Sequence, residues 1–242
     1  MCGFAGFIDL SLQSSSDQMS QVTQKMSSSI RHRGPDDSGI WLDPDVGLAL
    51  GHQRLSILDL SLKGHQPMLS GCGRYVIVFN GEIYNHIEIR EELESLGRAP
   101  IWRGHSDTEV ILESIRCWGL NNAITRFTGM FAMAIWDKSK RTLHLTRDRI
   151  GEKPLYYGWV GKVLLFGSEL KALRMHPAWD GEIDPDALAL FVQHCYVPTP
   201  YSIYKNIFKV DQGTIATFKH KSMSPLSQPD KINYWSPNEL VE

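Results

Sequence analysis

The sequence predicts an α+β fold, with antiparallel strands in layers and helices on the outside. Two observations carry that reading. Apolar runs come in pairs across short turns, residues 130–136 with 142–146 and residues 155–160 with 163–167, which is hairpin spacing. Elsewhere lie one-sided apolar stripes that begin at capping residues, which is helix patterning. At 242 residues and 42% apolar content the chain can bury a substantial core. No internal repeat divides it.

Residues 3–10 are short, apolar and bounded by polar positions, as in a buried first strand. A strand there would hold the adjacent Cys2 in one place. Residues 18–30 carry a thin stripe of Met19, Val22, Met26 and Ile30, expected as a weakly amphipathic helix. The run Arg31-His32-Arg33-Gly34-Pro35-Asp36-Asp37-Ser38-Gly39 reads as a turn-rich, charged loop. Residues 46–50 predict a strand. Residues 74–79 predict another, ending in Asn80-Gly81, a dipeptide favoured in turns. Residues 86–96 predict a helix with Ile87, Leu93 and Leu96 on its apolar side, closed by Gly97. Ser106-Asp107-Thr108-Glu109 has the form of a capping box. It opens a helix whose stripe is Ile111, Leu112, Ile115 and Trp118. After the two hairpins, a short helix is expected over 168–175. Another begins at Asp184-Pro185-Asp186 and runs to about Cys195, where Pro198 and Pro200 interrupt it. Short strands follow at 203–210 and 214–218. From Lys219 the chain turns polar, with Pro225, Pro229 and Pro237. Residues 1–218 are therefore expected as the domain and 219–242 as a linker.

Composition excludes several functions. A formal net charge of −2 leaves no basic footprint for nucleic acid. No run approaches the ~18 apolar residues of a membrane span. The N-terminus turns polar after Leu10, unlike a secretory signal. Cys2, Cys72, Cys117 and Cys195 lack CxxC spacing, so neither a zinc set nor a disulfide framework is expected. The nine histidines show no HExxH pattern and are read as structural. Gly158 to Gly167 lacks the Walker lysine and is read as a hairpin, not a phosphate cradle. A soluble, cytoplasmic protein is the expectation.

Cys2 is the residue with the most chemistry in it. If Met1 is trimmed, one residue carries both a thiol and a free α-amino group. An α-amine has an ordinary pKa of roughly 8 and a thiol one of about 8.5. A partly neutral amine can take the thiol proton and leave the thiolate that attacks a carbonyl, without a separate histidine. On position alone, Cys2 is equally an ordinary small residue near a chain end.

Seven motifs then occur in order: Met-Cys-Gly at the start, RHRGPDDSG at 31–39, HQRLSILDLS at 52–61, GHQPM at 64–68, NGEIYNH at 80–86, SDTEVIL at 106–112 and RDRIGEKPLYY at 147–157. With them, nearly the whole chain resembles the class II glutamine amidotransferases, and among these the glutaminase domain of asparagine synthetase. The resemblance implies an N-terminal-nucleophile hydrolase fold, a four-layer αββα sandwich of two antiparallel sheets. It implies that Cys2 attacks the side-chain amide of glutamine and forms a thioester. It assigns the oxyanion hole to the Asn80 side chain and the Gly81 N–H. It gives the substrate carboxylate to Arg54 and the ammonium to Asp107 and Glu82, with backbone contacts near Leu55 and Ile57. Neither Arg54 nor Asp107 is expected in the core.

The same resemblance says what is not seen. The synthetase half of this family binds ATP through an SGGxDSS-type loop. The nearest string here, Ser70-Gly71-Cys72-Gly73, lacks the Asp-Ser pair. No cofactor is therefore expected in this chain; ATP and magnesium belong to the synthetase half. The expected partners are glutamine and a synthetase domain or subunit that uses the ammonia to amidate aspartate, and a homodimer is possible in principle. Two alternatives stay open: a sugar or nucleotide precursor as ammonia acceptor, or a catalytically silent scaffold domain.

Overall fold

Gly3–Asp9 (β1) is buried along its whole length, as an apolar run with neighbours on both edges and both faces must be. It anchors the architecture in the computed structural model, which describes residues 2–237. Ser16–Ser28 (α1) follows, then Asp37–Asp43 (β2), Leu48–Arg54 (β3), Met68–Leu69 (β4) and Tyr75–Ile83 (β5). His86–Ser95 (α2), Asp107–Trp118 (α3) and Leu120–Arg126 (α4) form a helical stretch. Gly129–Asp137 (β6) and Thr142–Arg147 (β7) are the first predicted hairpin; Tyr156–Val160 (β8) and Val163–Gly167 (β9) are the second. Leu170–Leu173 (α5), Pro185–His194 (α6), Ile207–Lys209 (β10), Thr214–Lys219 (β11) and Asp230–Asn233 (β12) complete the described chain.

The strands make two antiparallel sheets, ordered β10-β8-β9-β1-β3-β2 and β12-β11-β7-β6-β5-β4. Strand alternation sorts the side chains into three cores. Phe4 and Ile8 of β1, Leu48 and Leu50 of β3, Val76 and Val78 of β5 and Trp136 of β6 meet between the sheets. Ala5, Phe7 and Ala49 face outward against Met19 and Met26 of α1 and Leu173 of α5. Ile77, Phe79 and Met133 face outward against Ile89, Leu93, Ile111 and Ile115 of α2 and α3. The layers are therefore αββα, as expected. Continuing the inward register places Cys2 on β1's line, His52 and Arg54 on β3's, and Asn80 and Glu82 on β5's, all at one end of the sandwich.

Five local expectations need correction. Asn80-Gly81 is no turn: both residues lie inside β5, opposite Ala132 and Phe131 of β6. β2 forms within and beyond the stretch expected as loop, pairing Asp37 with Arg54 through Asp43 with Leu48. It is an edge strand with only three consecutive apolar residues, Ile40 to Leu42, so its pattern is weak. The buried face of α2 is Ile89 and Leu93, whereas Ile87 and Leu96 are exposed. The capping box is half made: Ser106 Oγ accepts from Glu109 N–H at 3.4 Å, but the Glu109 carboxylate turns to Arg103 and Gly104. Finally, part of the expected linker 219–242 is β12, paired to β11 from Thr214–Asn233 to Thr217–Asp230. Its side chains are all exposed, so the pairing rests on backbone and on polar contacts such as Lys219 with Asp230 and Thr214 with Asn233, and leaves no hydrophobic trace.

Candidate active site

Cys2 sits just before β1, and Leu55 lies just past the end of β3. Because the two strands pair with Gly3 opposite Gln53, the thiol meets the Leu55 backbone. Leu55 N–H donates to Sγ at 3.3 Å, and the thiol donates to Leu55 O at 3.5 Å. Burial pushes the Cys2 thiol above its ordinary pKa, while the Leu55 hydrogen bond and the Arg54 charge pull it back. The thiol is thus held in place, but protonated until a base takes the proton.

Arg54 is buried, contrary to expectation. Its guanidinium donates to Ser61 O at 2.8 Å and to Asp59 O. It therefore ties down the loop that follows β3. Gly64 is required beside it, because a Cβ there would run into the Arg54 guanidinium. Asp59 completes the loop by accepting from Ser61 N–H and Oγ and from His105 N–H at 2.6–3.0 Å. Burial raises its pKa, but these donors and the nearby Arg54 outweigh burial and leave it below the usual carboxylate range.

Asn80 is almost fully enclosed, yet neither its side-chain N nor its side-chain O has a hydrogen-bond partner. A buried, unpaired primary amide costs about 1–3 kcal/mol, so its position needs an account. Gly81 supplies a second donor. Phe131, its partner on β6, directs its N–H to Asp148 Oδ2 at 3.1 Å and accepts at its carbonyl from Asp148 N–H at 2.8 Å. Those groups point toward β7, so Gly81 and Phe131 are a non-hydrogen-bonded pair. By the same alternation, Gly81 N–H points away from β6, in line with those of Phe79 and Ile83. Phe79 N–H donates to Gln66 Oε1 at 2.7 Å and Ile83 N–H to Asp107 Oδ2 at 3.0 Å. Between these two capped groups, Gly81 N–H faces the cleft. A side chain at Gly81 would collide with the Met130 carbonyl.

Asp107 is also buried and stands in the first turn of α3, where the helix dipole favours an anion. Burial raises its pKa from 3.8 to about 6 despite the Ile83 N–H bond. A carboxylate held this far above its ordinary value is poised to gain from a cation. Cys2, Arg54, Leu55, Ile57, Asn80, Gly81, Glu82 and Asp107, the full set of sequence-predicted residues, line one cleft. Ile57 stands at the rim and is exposed, and the Leu55 backbone is occupied by the thiol.

The cleft also contains residues that the sequence reading left unassigned: Asp59, Gln66, Met130 and Lys153. Asp59, Gln66 and Lys153 lie in quoted motifs, which was the available signal, whereas Met130 lies only in a predicted strand. Lys153 Nζ donates to Met130 Sδ at 2.9 Å. The RDRIGEKP run builds this wall. Arg147 donates to the carbonyls of Gly151, Lys153 and Val210, and Asp148 accepts from the N–H groups of Phe131, Glu152 and Lys153. The RHRGPDD run braces the opposite side. Asp36 accepts from Ser56 N–H at 2.8 Å, and Arg33 pairs with Glu169 beside Gly3. Among the described residues, no group of three His, Cys, Asp or Glu side chains is placed to hold a metal, and no helix is long and apolar enough to cross a membrane.

Residues 1–235 match the glutamine amidotransferase domain family. A putative asparagine synthetase [glutamine-hydrolyzing] 2 from Methanocaldococcus jannaschii is 38% identical over 229 residues, covering 87% of this chain and 42% of the relative. Asparagine synthetase [glutamine-hydrolyzing] 1 of Bacillus subtilis is 39% identical over 219 residues, covering 90% and 34%. The chain thus spans well under half the length of these relatives. The glutamine phosphoribosylpyrophosphate amidotransferase of B. subtilis superposes with a TM-score of 0.67 over 97% of this chain and 49% of that one. At 17% identity, that likeness establishes the two-sheet fold alone.

Proposed function

The chain belongs to the glutamine amidotransferase domain family, and from that premise we propose that its cleft hydrolyses glutamine, with Cys2 as nucleophile. Once Met1 is removed, the Cys2 α-amine takes the thiol proton, and the thiolate attacks the side-chain amide carbon. The developing oxyanion is received by the Asn80 Nδ2–H and Gly81 N–H. Protonation of the leaving nitrogen by the α-ammonium releases ammonia and leaves a γ-glutamyl thioester. Water then attacks the thioester, with the α-amine again as base, and glutamate and the thiol are regenerated. Arg54 binds the substrate carboxylate, and Asp107 and Glu82 bind its ammonium. The observation that carries this reading is the Asn80 amide, buried in the cleft that holds the thiol and with no partner of its own.

Ammonia is a product to be captured. The similarity to glutamine-hydrolysing asparagine synthetases supports a synthetase module as acceptor, amidating aspartate with ATP and magnesium bound there and no cofactor needed in this chain. A cytoplasmic setting goes with that assignment. The removal of Met1 falls outside the described residues and is tested directly. Intact-mass measurement should show one methionine missing, with glutamate released from glutamine by that species. Blocking the removal should abolish glutamate release. Full activity with Met1 in place would end the α-amine mechanism.

A further inference from the structure

His52 is completely buried at the inner face of β3, between Leu50 of the apolar core and Arg54 of the cleft. Its Nε2 lies 3.0 Å from the carbonyl oxygen of Phe79, on the other sheet. A carbonyl only accepts, so Nε2 carries the proton and donates. Nδ1 is then an acceptor, enclosed and without a partner. A leucine would fill this space without an unpaired Nδ1 but would leave the Phe79 carbonyl without its partner, so that hydrogen bond, and not packing, accounts for the histidine. Burial lowers its pKa to about 4, so it stays neutral and does not act as a proton carrier at cellular pH.

Phe79 is where β5 lacks a strand on its outer edge. β4 pairs only with Val76 and Ile77, so beyond Ile77 the edge N–H and C=O groups have no ladder. At Phe79 both are taken by side chains: the C=O by His52, the N–H by Gln66 Oε1 at 2.7 Å. Gln66 is itself held, donating from Nε2 to Thr108 Oγ1 at 3.2 Å. The next two residues along β5 are Asn80 and Gly81. The carbonyl that His52 holds belongs to the Phe79–Asn80 peptide. His52 also stands opposite Phe4 of β1, two residues from Cys2.

We infer that His52 and Gln66 are positioning residues which replace a missing strand at Phe79 and thereby set the oxyanion donors of Asn80 and Gly81 against the Cys2 thiol. His52 spans the two sheets, one carrying the nucleophile and the other the oxyanion donors. The inference deepens the glutaminase reading and rests on it for its catalytic consequence. It gives the HQRL and GHQPM motifs a task that no substrate contact requires.

The test compares His52→Leu and His52→Gln with the wild-type chain. Leucine fills the core but cannot hold the Phe79 carbonyl; glutamine has an N–H able to reach for it. Glutamate release should fall about 10- to 100-fold in kcat for His52→Leu, with KM for glutamine changed less than about threefold, because a misplaced donor weakens the transition state and spares ground-state binding. His52→Gln should recover most of kcat. Affinity for an aldehyde analogue of glutamine, which forms a tetrahedral adduct with the thiol, should fall in parallel with kcat. Amide exchange should quicken at Phe79, Asn80 and Gly81 and not across β6. Unchanged kcat in a folded His52→Leu, equal loss in both variants, or a loss that follows only the melting temperature overturns the inference. A wild-type chain that releases no glutamate defeats the glutaminase reading instead, and local exchange at 79–81 then decides the clamp alone.

Discussion

Two buried charges carry different burdens in the cleft. Asp107 is held with a pKa near 6, above its ordinary 3.8, by burial. Because its folded value is raised, the protonated form is favoured in the folded state. The stability it contributes is present at low pH and is lost as pH rises from about 4 through about 6. Above that the ionised carboxylate costs on the order of 2–3 kcal/mol. Asp107→Asn keeps an acceptor for Ile83 N–H and removes the charge. It should therefore raise the melting temperature by a few degrees at pH 7.5, with the gain vanishing toward pH 4. The same change should raise KM for glutamine at least tenfold. In the wild type, KM should climb as pH falls through about 6. Arg54 behaves in the opposite sense. It braces Ser61 O and Asp59 O as well as facing the cleft, so Arg54→Ala should raise KM and also lower the melting temperature by several degrees. A paired measurement of KM and thermal unfolding separates the two residues. An Arg54→Ala protein with unchanged melting would remove its loop-bracing role.

At the scale of elements, the key object is β5, which runs through the turn-favouring dipeptide Asn80-Gly81 to Ile83. Asn80→Asp keeps the shape but replaces a donor with a repelling carboxylate. It should lower kcat on the order of 100-fold or more while folding normally. Gly81→Ala should do something different: its methyl is driven into the Met130 carbonyl, so β5 and β6 must separate and stability falls along with activity. Thermal unfolding beside steady-state glutamate release distinguishes them. The misreading of this stretch has a physical cause. Asn-Gly is favoured in tight turns because both residues tolerate positive φ, and that local preference says nothing about a partner strand. β6, 46 or more residues later in sequence, supplies the pairing partner for β5, and the donors of Gly81 and Asn80 were visible only once that pairing was known. The hairpins and the capped helices were legible because their signals are local. β2 and β12 were not, being edge strands stabilised mainly through backbone pairing. The motifs named eight residues that the fold brings to one cleft; the place of Asp59, Gln66 and Lys153 in it, and the buried state of Arg54, needed the fold.

For the whole molecule, the stretch after residue 219 is tied back to the domain. Tyr234 Oη donates to Arg147 O at 2.7 Å, and Trp159 Nε1 donates to Ser227 O at 2.9 Å. Arg147 in turn holds the wall of the cleft that contains Lys153. Ending the chain at residue 218 would leave the buried indole N–H of Trp159 and the edge of β11 uncovered. It should lower stability, by about 0.5–1.5 kcal/mol for the indole hydrogen bond alone, and the melting temperature with it. Tyr234→Phe should reproduce a smaller part of that loss. The stretch after residue 219 is thus in contact with the wall of the cleft.

If Cys2 is the nucleophile toward glutamine, its thiol becomes covalently loaded during turnover, which rapid quenching of the chain with saturating glutamine and weighing of the N-terminal peptide would reveal. A γ-glutamyl group on Cys2 is predicted for the wild type, together with steady glutamate release, and both should be absent in a folded Cys2→Ala protein. Glutamate release that persists in Cys2→Ala would contradict the account.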